Sequence, residues 1–365
     1  MAAPSIELCP SATRVAAERR EAMLVDPGFG RIFTEHMVSY RYLEGQGWNW
    51  GKLEPYAPLQ LDPAASVLHY GQAVFEGFKA FRQPDGGVAT FRPEANALRL
   101  ELSARRLAMP APSVEQFVTA ADALISLDRD WVPSGRGKSL YLRPLLIATE
   151  PALGVRPASE YLFLLFGSPA GSYFKGGVSP VTVWICKDYV RAAPGGTGAA
   201  KAAGNYAASL PAQAQAIKEG CAQVVWLDAV TRRNVEEMGG MNIFFVYEEA
   251  GRTKLVTPKL TGSLLPGITR DSLLMLGKDL GYAVEERTVT IDEWLTDAAD
   301  GKMVEAFACG TAAVITPIGA LKDENGTYTI RDGSMGPVST KLRERLMDLQ
   351  YGVGPDPYGW MHRVF

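Results

Sequence analysis

Cysteine and histidine are scarce in this 365-residue chain, which has four of the first and three of the second. Cys9, Cys186, Cys221 and Cys309 stand far apart, without the paired spacing of a zinc site or a redox motif, and read as reduced thiols of a cytosolic protein. His36, His69 and His362 are too scattered to suggest a metal centre. An excess of one charge is missing too: 37 basic side chains stand against 40 acidic ones, a net charge of -3, with no long run of either sign. That argues against nucleic acid or an anionic membrane surface as a partner. No apolar run reaches the length of a membrane span, and the opening MAAPSIELCP has no basic segment followed by an apolar one. The cytoplasm is the expected compartment. Neither G-x-G-x-x-G after a strand nor G-x-x-x-x-G-K-[ST] occurs, so dinucleotide and P-loop readings have no support. Repeats and low-complexity tracts are also lacking.

What is present is ample material for a core. Hydrophobic residues make up 47% and charged residues 21%, a globular composition whose length predicts about two domains. The Gly, Pro and Ser cluster GSPAGSYFKGGVSP, between Gly167 and Pro180, marks the expected connection. This divides the chain into a smaller N-terminal α/β domain over 1–170, a loop over 171–180 and a larger C-terminal domain over 181–365.

The first sixty residues, rich in Gly, Pro and aromatics, read as extended segments and turns without long helices. In VLHYGQAVFEGFKAFR the aromatics Tyr70, Phe75 and Phe78 crowd around Gly71 and Gly77, as a pocket rim or as core packing. A strand over Val88–Phe91 leads to a helix opening at Pro93, on which Leu98 and Leu102 share a face and Arg99 lies off it, either solvated or as an anion clamp. Ser113 and Gln116 form a capping box that opens the next helix. Strands follow at Ser139–Thr149 and Tyr161–Phe166. Tyr141 and Arg143 leave one face of the first, and Arg143 calls for an intramolecular salt bridge, an edge position beside Pro144, or an anionic ligand.

In the second half, VTVWIC, QVVWLD and MNIFFVY read as strands. Glu236 and Glu237 precede Gly239 and Gly240, where one glutamate reads as a surface turn residue and the other as a carboxylate facing a ligand. The Pro-Gly turn before Ile268 and Thr269 opens a helix whose amino end suits a phosphate. Gly310 and Thr311 make a second tight turn. Lys201 sits in GGTGAAKAAGNYAAS with no acid three or four residues away. Folded against a wall, its ammonium would be disfavoured by desolvation and its amine would become a nucleophile for an aldehyde. By itself the stretch reads more readily as a surface loop with a solvated lysine.

Together, an unpaired lysine, an acid beside glycines, a helix arginine and two turns suited to phosphate are the parts required by pyridoxal phosphate. The runs HYGQAVFEGFKAF, LYLRPLLIATEPALGVRP, GSYFKGGVSPV, GAAKAAGNYAAS, EEMGGMNIFFV, LLPGITRDSLL and FACGTAAVITP closely resemble, in order, those of the branched-chain amino acid aminotransferases. The resemblance spans nearly the whole chain. It implies the two-domain α/β (α+β) architecture of fold type IV pyridoxal enzymes, as in D-amino acid aminotransferase, assembled as a homodimer with pyridoxal 5'-phosphate between the domains. It also implies ping-pong transfer of the amino group of leucine, isoleucine or valine to 2-oxoglutarate.

On the same resemblance, Lys201 is the Schiff-base lysine and proton shuttle, Tyr206 meets the cofactor's phenolic oxygen, and Glu237 pairs with its pyridine nitrogen. Arg99 binds the phosphate with the main chain at Ile268 and Thr269 and with Thr311. Tyr70, Phe75 and Tyr141 line the substrate pocket with Ala312, Arg143 accommodates the distal carboxylate of glutamate, and Tyr173 belongs to a loop over the site. Tyrosines beside Arg143 are expected to pair with it when no acidic substrate is bound. Vertebrate members carry a C-x-x-C pair after the GTA turn, whereas this chain reads GTAAVIT, and Gly240 stands where some members have Thr. D-amino acid aminotransferase, aminodeoxychorismate lyase and a non-catalytic small-molecule binder are the competing readings.

Overall fold

The computed structural model describes residues 6–171, 178–249 and 251–365. They fall into two compact units: the described residues within 1–173, with Ala200–Ala203 and Asp348–Phe365, form one, and those within 174–199 and 204–347 form the other.

The first unit is organised by a ten-stranded sheet. Its longest ladder joins Ser139–Ala148 to Glu160–Ala170, antiparallel, from Ser139 opposite Ala170 to Ala148 opposite Tyr161. Alternation sorts the side chains. Leu140, Leu142, Leu146, Phe163 and Leu165 enter a core closed by Phe117, Ala121 and Leu124 of the helix Val114–Leu127. Tyr141, Arg143 and Leu145 leave the other face half-buried. The capping box of that helix is formed, since Ser113 accepts from the Gln116 amide and the Gln116 side chain accepts from Ser113.

Ser139–Ala148 lies inside the sheet, which corrects the edge position considered for Arg143. It pairs with Glu160–Ala170 on one side and with Phe78–Arg82 and Ala73–Phe75 on the other. Pro144 is tolerated because it faces the break between those two short partners, where its carbonyl accepts from the Glu76 amide at 2.9 Å.

On the helix Pro93–Arg106 the face shared by Leu98 and Leu102 points outward. Leu98 and Leu102 are about half exposed, at 52% and 51%, whereas Arg99 is buried at 7%. Asn96, Ala97, Leu100, Ser103 and Ala104 share the buried face with it. The N-terminal region also holds a nine-residue helix, Ala17–Val25, which has no side-chain cap and no buried residue and therefore left no periodic signal.

In the second unit, Val181–Cys186, Gln223–Leu227, Val235–Met238, Met241–Glu249, Met303–Gly310 and Val314–Asp323 pair in a ring. Val235–Met238 bonds both Gln223–Leu227 and Met241–Glu249, which closes the sheet on itself. Closure satisfies the edges and fills the interior with alternate residues such as Val183, Val225, Ile243 and Ala308. The helix Ile268–Asp279 starts directly after Gly267, and Ile291–Ala299 is capped by Thr290, which accepts from the Glu293 amide. Val338, Leu342, Leu346 and Leu349 of Pro337–Gln350 are all buried.

Candidate active site

Within the first unit the lysine stretch is tied down at the backbone, contrary to a free surface loop. The Lys201 amide donates to Ser103 Oγ at 2.9 Å, and its carbonyl accepts from the Phe75 amide at 3.1 Å. Ala202 bridges to Val74, and Ala200 and Ala202 are buried. The small neighbours let the strand lie against Ala73–Phe75 while the lysine side chain stays half-buried. Its Nζ sits 4.8 Å from the centroid of the Phe75 ring.

The same ring receives Arg143, whose Cζ is 4.7 Å from its centroid. Two cations over one aromatic ring make a region that favours an anion. Arg143 Nη2 donates to the Tyr141 hydroxyl at 3.1 Å, while its Nε is shielded from solvent without an acceptor among the described residues. The expected tyrosine partner is therefore in place. Gly77 makes this possible, because a Cβ there would come within 1.9 Å of the Tyr141 hydroxyl.

Arg99 is held by Glu76, which the sequence reading passed over. Nε and Nη2 reach the two carboxylate oxygens at 2.7 and 2.9 Å, and the Gly77 amide adds a third donor at 3.1 Å. The bidentate geometry fixes the plane of the guanidinium. Ser103, one turn further along the same buried face, is the residue that holds Lys201. The i, i+4 spacing of Arg99 and Ser103 was the available signal for it.

In the second unit both Glu236 and Glu237 are buried, which corrects the reading of one as a surface turn residue. Glu237 Oε2 lies 2.7 Å from Arg191 Nε, and Oε1 accepts from the Leu265 amide at 2.7 Å and from Asn242 at 3.4 Å. Arg191 also donates to the carbonyls of Gly198 and Ser263, at 3.2 and 2.5 Å, so one guanidinium joins three segments. Nothing in RAAPGG marked it. Glu236 points to the other face, where burial, reinforced by the Glu237 charge, pushes its carboxyl above the usual range.

Tyr206 is half-buried on the helix Ala203–Ala207, and a Cβ on Gly240 would meet its ring at 3.5 Å. Ile268 and Thr269 are nearly buried at a helix start that has no side-chain cap. Gly267 is required there, since a Cβ would fall 2.0 Å from Asn242 Oδ1. Thr311 and Ala312 lie in the short turn between Met303–Gly310 and Val314–Asp323.

Tyr70 is exposed at 42%, its hydroxyl donates to the Leu153 carbonyl, and it borders a depression with Gln72, Leu107 and Arg156. Tyr173 lies outside the described residues. Glu35, His36 and Asp128 are close enough to hold an ion, but their atoms already serve the fold. His36 Nδ1 is 2.6 Å from Asp128, its Nε2 accepts from the Ser11 amide, and Glu35 accepts from Val15 and Trp131.

Residues 73–321 match the family described as amino-transferase class IV. The chain belongs to that family. Among curated relatives of this class IV aminotransferase, the branched-chain-amino-acid aminotransferase of Mycolicibacterium smegmatis is 58% identical over 346 residues, 94% of each chain. That of Mycobacterium tuberculosis is 57% identical over 347 residues, 95% of this chain and 94% of its own. Among solved structures, the Escherichia coli branched-chain amino acid aminotransferase superposes with a TM-score of 0.74 at 28% identity, covering 89% of this chain and 99% of its own. The Thermobaculum terrenum enzyme, solved in its PLP-form, gives 0.73 at 26% identity, covering 91% and 99%. The fold is the type IV fold.

Proposed function

We propose that this aminotransferase moves the amino group of L-leucine, L-isoleucine or L-valine to 2-oxoglutarate, giving branched 2-oxo acids and L-glutamate, with pyridoxal 5'-phosphate as cofactor. The observation that carries the reading is the grouping of Lys201, Phe75, Tyr141 and Arg143 in a chain 58% identical to a branched-chain-amino-acid aminotransferase.

The residues fit the cofactor: a buried carboxylate kept company by a cation, a helix start without a side-chain cap, and a lysine on a fixed backbone. When bound, pyridoxal phosphate supplies an aldehyde for the lysine amine and an electron sink that loosens the substrate's α proton. Lys201 would hold it and would carry that proton at Nζ. Glu237, oriented by Arg191 and the Leu265 amide, would face the ring nitrogen, and Tyr206 would face the phenolic oxygen. Arg99, aimed by Glu76, serves the phosphate with the amides of Ile268 and Thr269 and the Thr311 hydroxyl.

The substrate side chain meets Tyr70, Phe75, Tyr141, Ala312 and Tyr173. Arg143 reconciles two kinds of substrate. With an aliphatic side chain it keeps its Tyr141 hydrogen bond and its place over Phe75. With an acidic one it turns those donors to the carboxylate, which limits the cost of an unpaired buried cation.

The same reading makes the enzyme a cytoplasmic homodimer, and the apolar helix face offered by Leu98 and Leu102 supports the assembly. Among the described residues no helix is long and apolar enough to cross a membrane. The test is the visible spectrum of the purified protein before and after leucine, with borohydride labelling and a substrate panel. A spectral change with leucine, label on Lys201 and turnover with 2-oxoglutarate are expected. Turnover of D-alanine or aminodeoxychorismate in place of leucine, or no label, would remove the reading.

A further inference from the structure

Between the first sheet and the helix Pro93–Arg106 the buried polar side chains close on themselves. Val74, Phe78 and Ala80 leave the core face of their strands and share one core cluster with Ala97, Leu100 and Ala104 of that helix. Glu76 has the same parity and is buried on that side, as are Arg99 and Ser103. Phe75 and Gly77 serve the opposite face, where the Phe75 ring lies under Lys201 and Arg143 and Gly77 makes room for Tyr141.

Glu76 therefore belongs to two neighbourhoods at once. On the core side its Oε1 accepts from Arg99 Nε at 2.7 Å and its Oε2 from Arg99 Nη2 at 2.9 Å. This occupies one edge of the guanidinium and turns the Nη1 corner away from Glu76. Along the main chain, the Glu76 amide donates to the Pro144 carbonyl at 2.9 Å, and the Phe75 amide before it donates to the Lys201 carbonyl at 3.1 Å. The Lys201 amide in turn donates to Ser103 Oγ at 2.9 Å, and Ser103 stands one helix turn from Arg99. Arg99, Glu76, Phe75, Lys201 and Ser103 thus form a closed ring.

A buried ion pair contributes little net stability beside apolar groups of the same volume, so stability does not account for placing one in this layer. Its position in the ring does. The layer is close-packed and excludes water, so each polar contact is strong and a displacement at one reaches the next. We propose that Glu76 is a positioning residue that couples Arg99 to Lys201. A phosphate held by Arg99 sets the backbone that carries the Lys201 amine, through Glu76 and the Phe75 amide on one arm and through the helix and Ser103 on the other. The inference rests on the roles proposed above for Arg99 and Lys201. A plain counter-ion for Arg99 would leave Lys201 indifferent to what Arg99 holds.

The probe is inorganic phosphate, offered to the cofactor-free full chain together with pyridoxal, the aldehyde without its phosphate ester. Pyridoxal affinity is measured by absorbance titration with and without phosphate, and attachment at Lys201 is read by borohydride labelling. Phosphate is expected to tighten pyridoxal binding at least about fivefold, and pyridoxal to tighten phosphate by the same factor. Glu76→Asp keeps the charge but draws the carboxylate back from the guanidinium, while Ser103→Ala cuts the other arm and leaves the Arg99 and Glu76 side chains in place. Each is expected to lower the coupling to below about twofold, and the double variant to lower it no further.

Circular dichroism checks the fold of each variant, and Ser103→Ala alone decides where Glu76→Asp does not fold. Coupling of parental size in either folded variant would make phosphate and pyridoxal direct neighbours only and would overturn the inference. So would a parent labelled at Lys201 whose pyridoxal affinity ignores phosphate. A parent that pyridoxal does not label at Lys201 would remove the proposed role of that lysine, and the inference with it.

Discussion

Arg191 Nε sits 2.7 Å from Oε2 of Glu237, and both side chains are almost completely buried. The two residues are far apart in sequence and meet only because the loop before Lys201 folds against the strand Val235–Met238. Desolvating both ions is costly, and the pair stands because each has further partners: Arg191 has the Gly198 and Ser263 carbonyls, and Glu237 has the Leu265 amide. Removing one partner leaves a buried charge uncompensated. Arg191→Met is expected to cost about 3–5 kcal/mol of stability, read from urea unfolding of the cofactor-free protein, and to weaken pyridoxal phosphate binding in a fluorescence titration. A variant as stable as the parent would show that the pair contributes nothing net.

Ser103 acts on Lys201 through the backbone, which makes it a positioning residue. Ser103→Ala leaves the Lys201 amide without its acceptor, at about 1–3 kcal/mol. The expected signature is a fall in kcat of about tenfold or more with KM for leucine nearly constant, together with slower borohydride labelling. A rise in KM alone would place the serine's influence elsewhere.

Arg143→Ala should separate the two half-reactions. A charge-assisted hydrogen bond to a carboxylate is worth about 1.5–3 kcal/mol. Turnover of glutamate is expected to fall by about ten- to a hundredfold while leucine turnover changes much less, as stopped-flow single half-reactions would show. Equal losses for both substrates would make Arg143 a purely structural cation over Phe75.

Asp228 carries a pH signature. Burial raises its pKa, but backbone donors from Thr231, Asn234 and Arg233 and the Thr231 hydroxyl outweigh it and hold the carboxyl at about 2. Its folded pKa lies below the unfolded value of about 3.9, so its stabilisation is complete above that value and is lost as pH falls towards 2. Asp228→Asn should therefore lower the urea midpoint at pH 6 more than at pH 3. An identical loss at both would assign the effect to packing.

Signals confined to a few residues were legible. The capping box at Ser113 and the Pro-Gly entry to Ile268 both depend on neighbours within a turn or two of helix. The helix Ala17–Val25 escaped because it carries no such signal, and the spacing of Leu98 and Leu102 says that they share a face but not which way that face points.

From sequence alone come the residue types the chemistry requires and their order along the chain: a lysine without a nearby acid, glutamates before a glycine pair, and turns that bare their amides. These are local, since hydrogen bonding and side-chain volume act over a few residues. Tertiary structure alone decided that Glu76 aims Arg99, that Ser103 pins Lys201, and that Arg191 meets Glu237. Each of these contacts closes a long loop of chain, and its strength comes from exclusion of water, a property that appears only once the surrounding core has formed.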